Sequence, residues 1–88
     1  MKTLKQLRSE NFLTQEELAS LFGVSSRTIQ NMEKDSSNIR DELLSKYMRA
    51  FNVKYDDIFL GSEYEIFEFQ SGKKNTIIHT IKNKINVG

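Results

Sequence analysis

Eighty-eight residues can hold one compact domain with a modest core and leave no room for a second. A composition of 38% hydrophobic and 28% charged residues is ordinary for a globular chain, and the absence of cysteine excludes disulfides and every cysteine-containing metal centre. The net charge is only +1, so any affinity for a polyanion must come from where the charges sit. No apolar run approaches the ~20 residues of a membrane span, and the N-terminal stretch lacks the apolar core of a secretory signal, so a cytoplasmic location is expected. The single histidine, His79, has no orienting acid or nucleophile fixed near it by spacing. It reads as structural, and no enzyme activity, cofactor or metal site is predicted.

Leu4 and Leu7 recur at helical spacing, and Asn11, a residue that tolerates the left-handed conformation, is placed to end a first helix over about residues 2–10. Thr14 then opens a Thr-Gln-Glu-Glu run with the form of a capping box, and Leu13 and Leu18 are spaced as a hydrophobic staple. A second helix starting at Gln15 is expected to bury Leu18, Leu21 and Phe22 and to stop at Gly23, which supplies a positive φ. The start pattern repeats at Ser25, with Val24 and Ile29 as a second staple. A third helix over about Ser26 to Lys34 then buries Ile29 and Met32. Its other face carries Ser26, Arg27, Gln30 and Asn31, none of which its core needs.

A polar loop follows from Asp35 to Asn38. From Ile39 onward, Leu43, Leu44, Tyr47, Met48 and Phe51 mark one side of a longer fourth helix capped by Asn52. Asp56 and Asp57 then precede Ile58, Phe59 and Leu60, which fits a short fifth helix with acids in its first turn and Gly61 past its end. Adjacent helix positions point apart, so the two aspartates are not read as a metal pair. Residues 64–69 are aromatic and β-branched, and turn chemistry at Ser71 to Asn75 precedes Thr76 to Ile81, so a C-terminal β-hairpin is the first choice. Ile77, Ile78, Ile81 and Ile85 equally fit one face of a helix, which leaves residues 76–86 open. A lone hairpin is marginal in water, so these apolar residues need a partner surface, either the helical core or a second copy of the chain. Lys73, Lys74, Lys82 and Lys84, in a stretch without acids, offer a basic arm as an alternative.

Two short helices joined by a glycine-led turn, with apolar residues facing a shared core, leave the outer face of the second helix protruding. An α-helix fits the major groove of B-DNA, where the donor and acceptor pattern distinguishes all four base pairs. The blocks Leu4-Lys5-Gln6-Leu7-Arg8, Leu13-Thr14-Gln15-Glu16-Glu17-Leu18-Ala19, Phe22-Gly23-Val24-Ser25 and Ile29 resemble the Cro/C1-type (XRE) helix-turn-helix family of phage and bacterial repressors. Phe51-Asn52-Val53 and Asp57-Ile58-Phe59 extend the resemblance to about residues 2–61.

The resemblance implies a mainly α, five-helix, lambda-repressor-like domain over residues 1–61, acting as a homodimer on a near-palindromic double-stranded operator, with residues 62–88 as an extension. By position it assigns Gln15 and Ser25 to phosphate contacts and Ser26, Arg27 and Asn31 to base reading, with Gln30 close by on the same face. Arg27 is suited to guanine, and Asn31 or Gln30 to adenine. Lys34 and Arg40 are further candidates for phosphate contact. Arg8 and Glu33 match a family pair that forms a structural salt bridge between the first and third helices. The chain departs from the pattern in its loop over Lys34 to Asn38, which lacks glycine and proline, and at Lys54, where a Ser or Thr cap is usual. An alternative function is an antitoxin-type regulator whose C-terminal segment binds a protein partner.

Overall fold

Most of the described helices begin at a hydroxyl that takes up a backbone N–H left without a partner. The computed structural model describes residues 1–72. Helix α1 spans Leu4–Glu10, α2 Gln15–Phe22, α3 Ser26–Lys34 and α4 Asp41–Phe51, followed by a 3-10 turn over Tyr55–Asp57. A further helix, α5, begins at residue 63 and continues to the end of the described residues. Thr3 and Thr14 form reciprocal capping boxes with Gln6 and Glu17, and Ser25 accepts the Thr28 amide. The Ser62 hydroxyl accepts the Glu65 amide while the Glu65 carboxylate accepts the Ser62 amide, which starts α5 in the same way. Among the described α-helices only α4 opens without a side-chain cap, at Arg40.

The core gathers Leu4 and Leu7 of α1, Leu18, Ala19 and Phe22 of α2, Ile29 of α3, and Leu44 and Tyr47 of α4. Tyr47 packs edge-on against Phe22, with ring centroids 5.0 Å apart. Gly23 ends α2 at φ 69°, a left-handed conformation that costs a side-chain-bearing residue about 1–2 kcal/mol. Ile58 closes the core at the other end: it bridges Lys2 in parallel, and the Phe59 amide donates to the Lys2 carbonyl at 2.8 Å.

Several expectations are corrected. The first helix starts at Leu4 rather than residue 2, because the Thr3 capping box fixes its end. Asn11 is not left-handed, with φ −98°; its side-chain amide satisfies the Leu7 carbonyl at 2.7 Å, and the chain reverses one residue later at Phe12, with φ 60°. Leu21 is 70% exposed and does not belong to the buried stripe of α2, whose third inward position is Ala19. The fifth helix over Asp56 to Leu60 shrinks to the single 3-10 turn, because Ile58 and Phe59 are drawn into extended pairing with Lys2. The polar loop expected after α3 is anchored: Ser36 is buried, and its hydroxyl accepts the Gly61 amide at 3.0 Å.

The largest correction concerns residues 64–69, expected as the first hairpin strand and found within α5. Ile66 is buried and Phe69 stacks on Phe59 at 4.3 Å, a pairing that period-2 alternation does not require. The strand or helix over 76–86, His79 and the four C-terminal lysines lie outside the described residues. Among the described residues no helix is long and apolar enough to cross a membrane, and no cluster of three or more metal-ligating side chains occurs.

Candidate nucleic-acid interface

Helix α3 has two chemically opposed sides. Ile29 is fully buried against α2, and Glu33, one turn on, is buried as well. Arg27, Gln30, Asn31 and Lys34 follow one another at helical spacing and are all exposed. Ser26, at the first position of the helix, is half-buried. The protruding side therefore presents an arginine fork, two amides and a lysine, a set that can donate to and accept from base edges and phosphates. Nothing in the described core draws on these four side chains.

The turn between α2 and α3 holds that side outward. Gly23 and Ser25 end one helix and start the next within three residues, and the Val24 amide donates to the Ala19 carbonyl at 3.0 Å. The Ser25 hydroxyl is already engaged, accepting the Thr28 amide at 3.1 Å and lying 3.0 Å from the Thr28 hydroxyl. Arg40, exposed at the start of α4, lines the same cleft beside the turn as Thr28 and Asn38. Ser25 and Arg40 thus border one end of α3, whereas Lys34 stands at the other. Lys46 of α4 donates to the Phe22 carbonyl at 2.6 Å and caps the C-terminus of α2, a role that sequence reading missed.

Behind the exposed face, three helices meet at one carboxylate. Arg8 Nε lies 2.5 Å from Glu33 Oε2, and Arg8 Nη2 donates to Glu33 Oε1 at 3.0 Å, a two-point pairing whose side chains are 12% and 4% exposed. The remaining Arg8 donor, Nη1, reaches the Leu13 carbonyl at 2.8 Å. Gln15 Nε2 donates to Glu33 Oε1 at 3.0 Å, so the first residue of α2 is tied to the last turn of α3. The hydrogen bond to Glu33 holds the Arg8 guanidinium above its ordinary pKa, outweighing the opposing effect of burial. This link between Gln15 and Glu33 was not foreseen, since nothing in sequence spacing relates residues so far apart.

Asp35, which adds negative charge beside this face, is turned onto its own loop. Its carboxylate accepts from the Ser37 hydroxyl at 2.5 Å and the Ser37 amide at 3.0 Å, and these bonds lower its pKa.

The helix-turn-helix family model matches residues 4–58, well over half of the chain. The chain belongs to the Cro/C1-type (XRE) helix-turn-helix family. An uncharacterised HTH-type transcriptional regulator of Archaeoglobus fulgidus is 42% identical over 65 residues, covering 74% of this chain and 92% of that protein. Another, from Methanocaldococcus jannaschii, is 40% identical over 62 residues, covering 70% of this chain and 94% of its own length. Similarity also extends to the antitoxin PezA of Streptococcus pneumoniae, 37% identical over 57 residues but matched over only 36% of its length. Membership of this helix-turn-helix family implies a DNA-binding transcriptional regulator.

Proposed function

We propose that the protein binds a specific double-stranded operator as a repressor, inserting α3 into the major groove. The observation that carries this reading is the division of α3 into a sealed side, Ile29 and Glu33, and an exposed side, Arg27, Gln30 and Asn31, behind a capped turn. Arg27 pairs two donors with guanine O6 and N7, and Asn31 or Gln30 makes the matching pair with adenine. Ser26 adds a short hydroxyl at the leading end of the helix. Gln15, Ser25, Lys34 and Arg40 flank this set and contact phosphates, which fixes register without reading sequence. The protein works in the cytoplasm, on the chromosome.

A homodimer would present two copies of α3 to successive major-groove faces. Residues 62–88 form the dimerising extension, a role supported by the exposure of Tyr64 and Phe67 on α5. Replacing both with serine is expected to lower the mass measured in solution from two chains to one. An unchanged mass would remove this extension from the interface. The similarity to an antitoxin covers only 36% of that protein and does not favour a toxin-binding role over the DNA-binding one. A small unrelated protein co-purifying at fixed stoichiometry would instead favour a protein-binding role for residues 62–88.

The base-reading assignment is tested by selecting bound duplexes from a random pool with the wild-type chain, Arg27→Ala and Asn31→Ala. Each variant is expected to relax preference at its own position by about 1–3 kcal/mol. If both retain the wild-type preference, the assignment is wrong.

A further inference from the structure

We infer that Glu33 is the positioning residue for Gln15, so that one buried carboxylate sets both the base-reading helix and the phosphate anchor beside it. The inference rests on the proposed contact of Gln15 with a DNA phosphate. It concerns how that contact is prepared before DNA arrives.

A carboxylate accepts hydrogen bonds and cannot donate them, whereas a glutamine amide has a donor end and an acceptor end that can exchange places by a half-turn. Gln15 is directed at Glu33 Oε1, 3.0 Å from Nε2, so only the NH2 end fits there. The half-turned amide would set its carbonyl oxygen against a buried negative charge. Glu33 has little freedom of its own, since Arg8 grips both of its oxygens and is itself fastened to the Leu13 carbonyl. With one N–H held by Glu33, the second N–H and the oxygen of Gln15 lie in a fixed plane at the start of α2. A side chain already ordered loses less rotamer freedom on binding than a mobile one.

The same carboxylate belongs to the last turn of α3. A shift of α3 in the groove therefore drags the Gln15 amide with it, and a shift of Gln15 onto a phosphate moves α3. Base reading and backbone anchoring are mechanically joined through Glu33, although Glu33 is too buried to meet DNA.

The test is a double-mutant cycle in the full-length chain on the duplex recovered by selection, with Gln15→Ala, Glu33→Gln and the double variant. A glutamine at 33 both donates and accepts, so it no longer dictates which end of Gln15 faces it. Each single variant is expected to weaken binding by about tenfold, the scale of one hydrogen bond to a charged group, and the double variant no further. Phosphate-ethylation interference supplies a readout that a loss of stability alone would not move. Ethylation of one phosphate should hinder the wild type and become indifferent in both Gln15→Ala and Glu33→Gln, with the other phosphates unaffected. Glu33→Asp retains the charge for Arg8 while drawing the carboxylate back from Gln15, and it carries the same cycle if Glu33→Gln does not fold. Losses that multiply, or an ethylation pattern unchanged by the variants at 33, overturn the coupling while operator selection stays intact. Failure of all these proteins, wild type included, to prefer any duplex overturns the DNA-binding reading itself.

Discussion

The two ends of this domain speak different languages. Between Thr14 and Ser25 each boundary is marked by short-range chemistry: a capping box, a glycine with positive φ and a serine cap. From Val53 to Gly61 the backbone depends on what lies across the fold. Ile58 is extended because Lys2 offers backbone partners, and Ser36 is buried because Gly61 meets it. Local signals decide structure where a helix end can satisfy itself, and distant partners decide it elsewhere.

The largest effect should come from the core side of α3. Ile29→Ala removes a fully buried side chain shared by α2 and α3 and is expected to cost about 2–5 kcal/mol, read as a lowered denaturation midpoint in urea. A cost under 1 kcal/mol would mean that the two helices are not held by this seam, and the contrast with the C-terminal end would dissolve. Next comes the turn. Gly23→Ala meets no atom within 4 Å, so its expected loss of about 1–2 kcal/mol measures backbone strain alone.

A matched pair of cap deletions probes the two ends separately. Thr14→Ala and Ser62→Ala each remove a hydroxyl from a reciprocal capping box, with a typical loss of about 1 kcal/mol for such a change. The first is expected to lower global stability by that amount, whereas the second should open α5 locally, seen as faster amide exchange there with little change in the global midpoint. Equal global losses would show that α5 is as firmly joined to the domain as α2.

Smallest in size is a pH effect at the same α2 cap. The Glu17 carboxylate accepts the Thr14 amide, which lowers its pKa from the ordinary 4.5. Its contribution is therefore present above 4.5 and lost as pH falls through the lower folded value. Glu17→Gln should flatten this part of the acid-side fall in melting temperature. An unchanged acid profile would deny the carboxylate its role in the cap.

Much of the candidate site was legible because it depends on periodicity within one helix. Arg27, Gln30 and Asn31 share a face at their spacing alone, and Ile29 is excluded from it by the same arithmetic. The resemblance to a repressor family pointed to Arg8 and Glu33, but the third member, Gln15, is joined to them only by folding. Two other misses had signals that β-propensity or end effects masked. Thr3-Leu4-Lys5-Gln6 and Ser62-Glu63-Tyr64-Glu65 both have the form of a capping box, and each marks a helix start as clearly as Thr14 does. In the second case the aromatic run Tyr64 to Phe69 argued for a strand, while the cap two residues earlier argued for a helix. The helix prevails, with Ile66 turned inward and Phe69 laid on Phe59. Phe12 is different: no residue preference places a phenylalanine at a positive φ, and that turn is dictated by Asn11 closing the end of α1.

The central claim is that the outward side of α3 recognises a duplex by its base sequence rather than by charge alone. Competition binding at low ionic strength, with a labelled selected duplex challenged by heparin and by a shuffled duplex of equal length, measures this directly. The account predicts a preference for the selected duplex of about 10³-fold or more over the shuffled one. Displacement by heparin or by the shuffled duplex as readily as by the unlabelled selected duplex would contradict it.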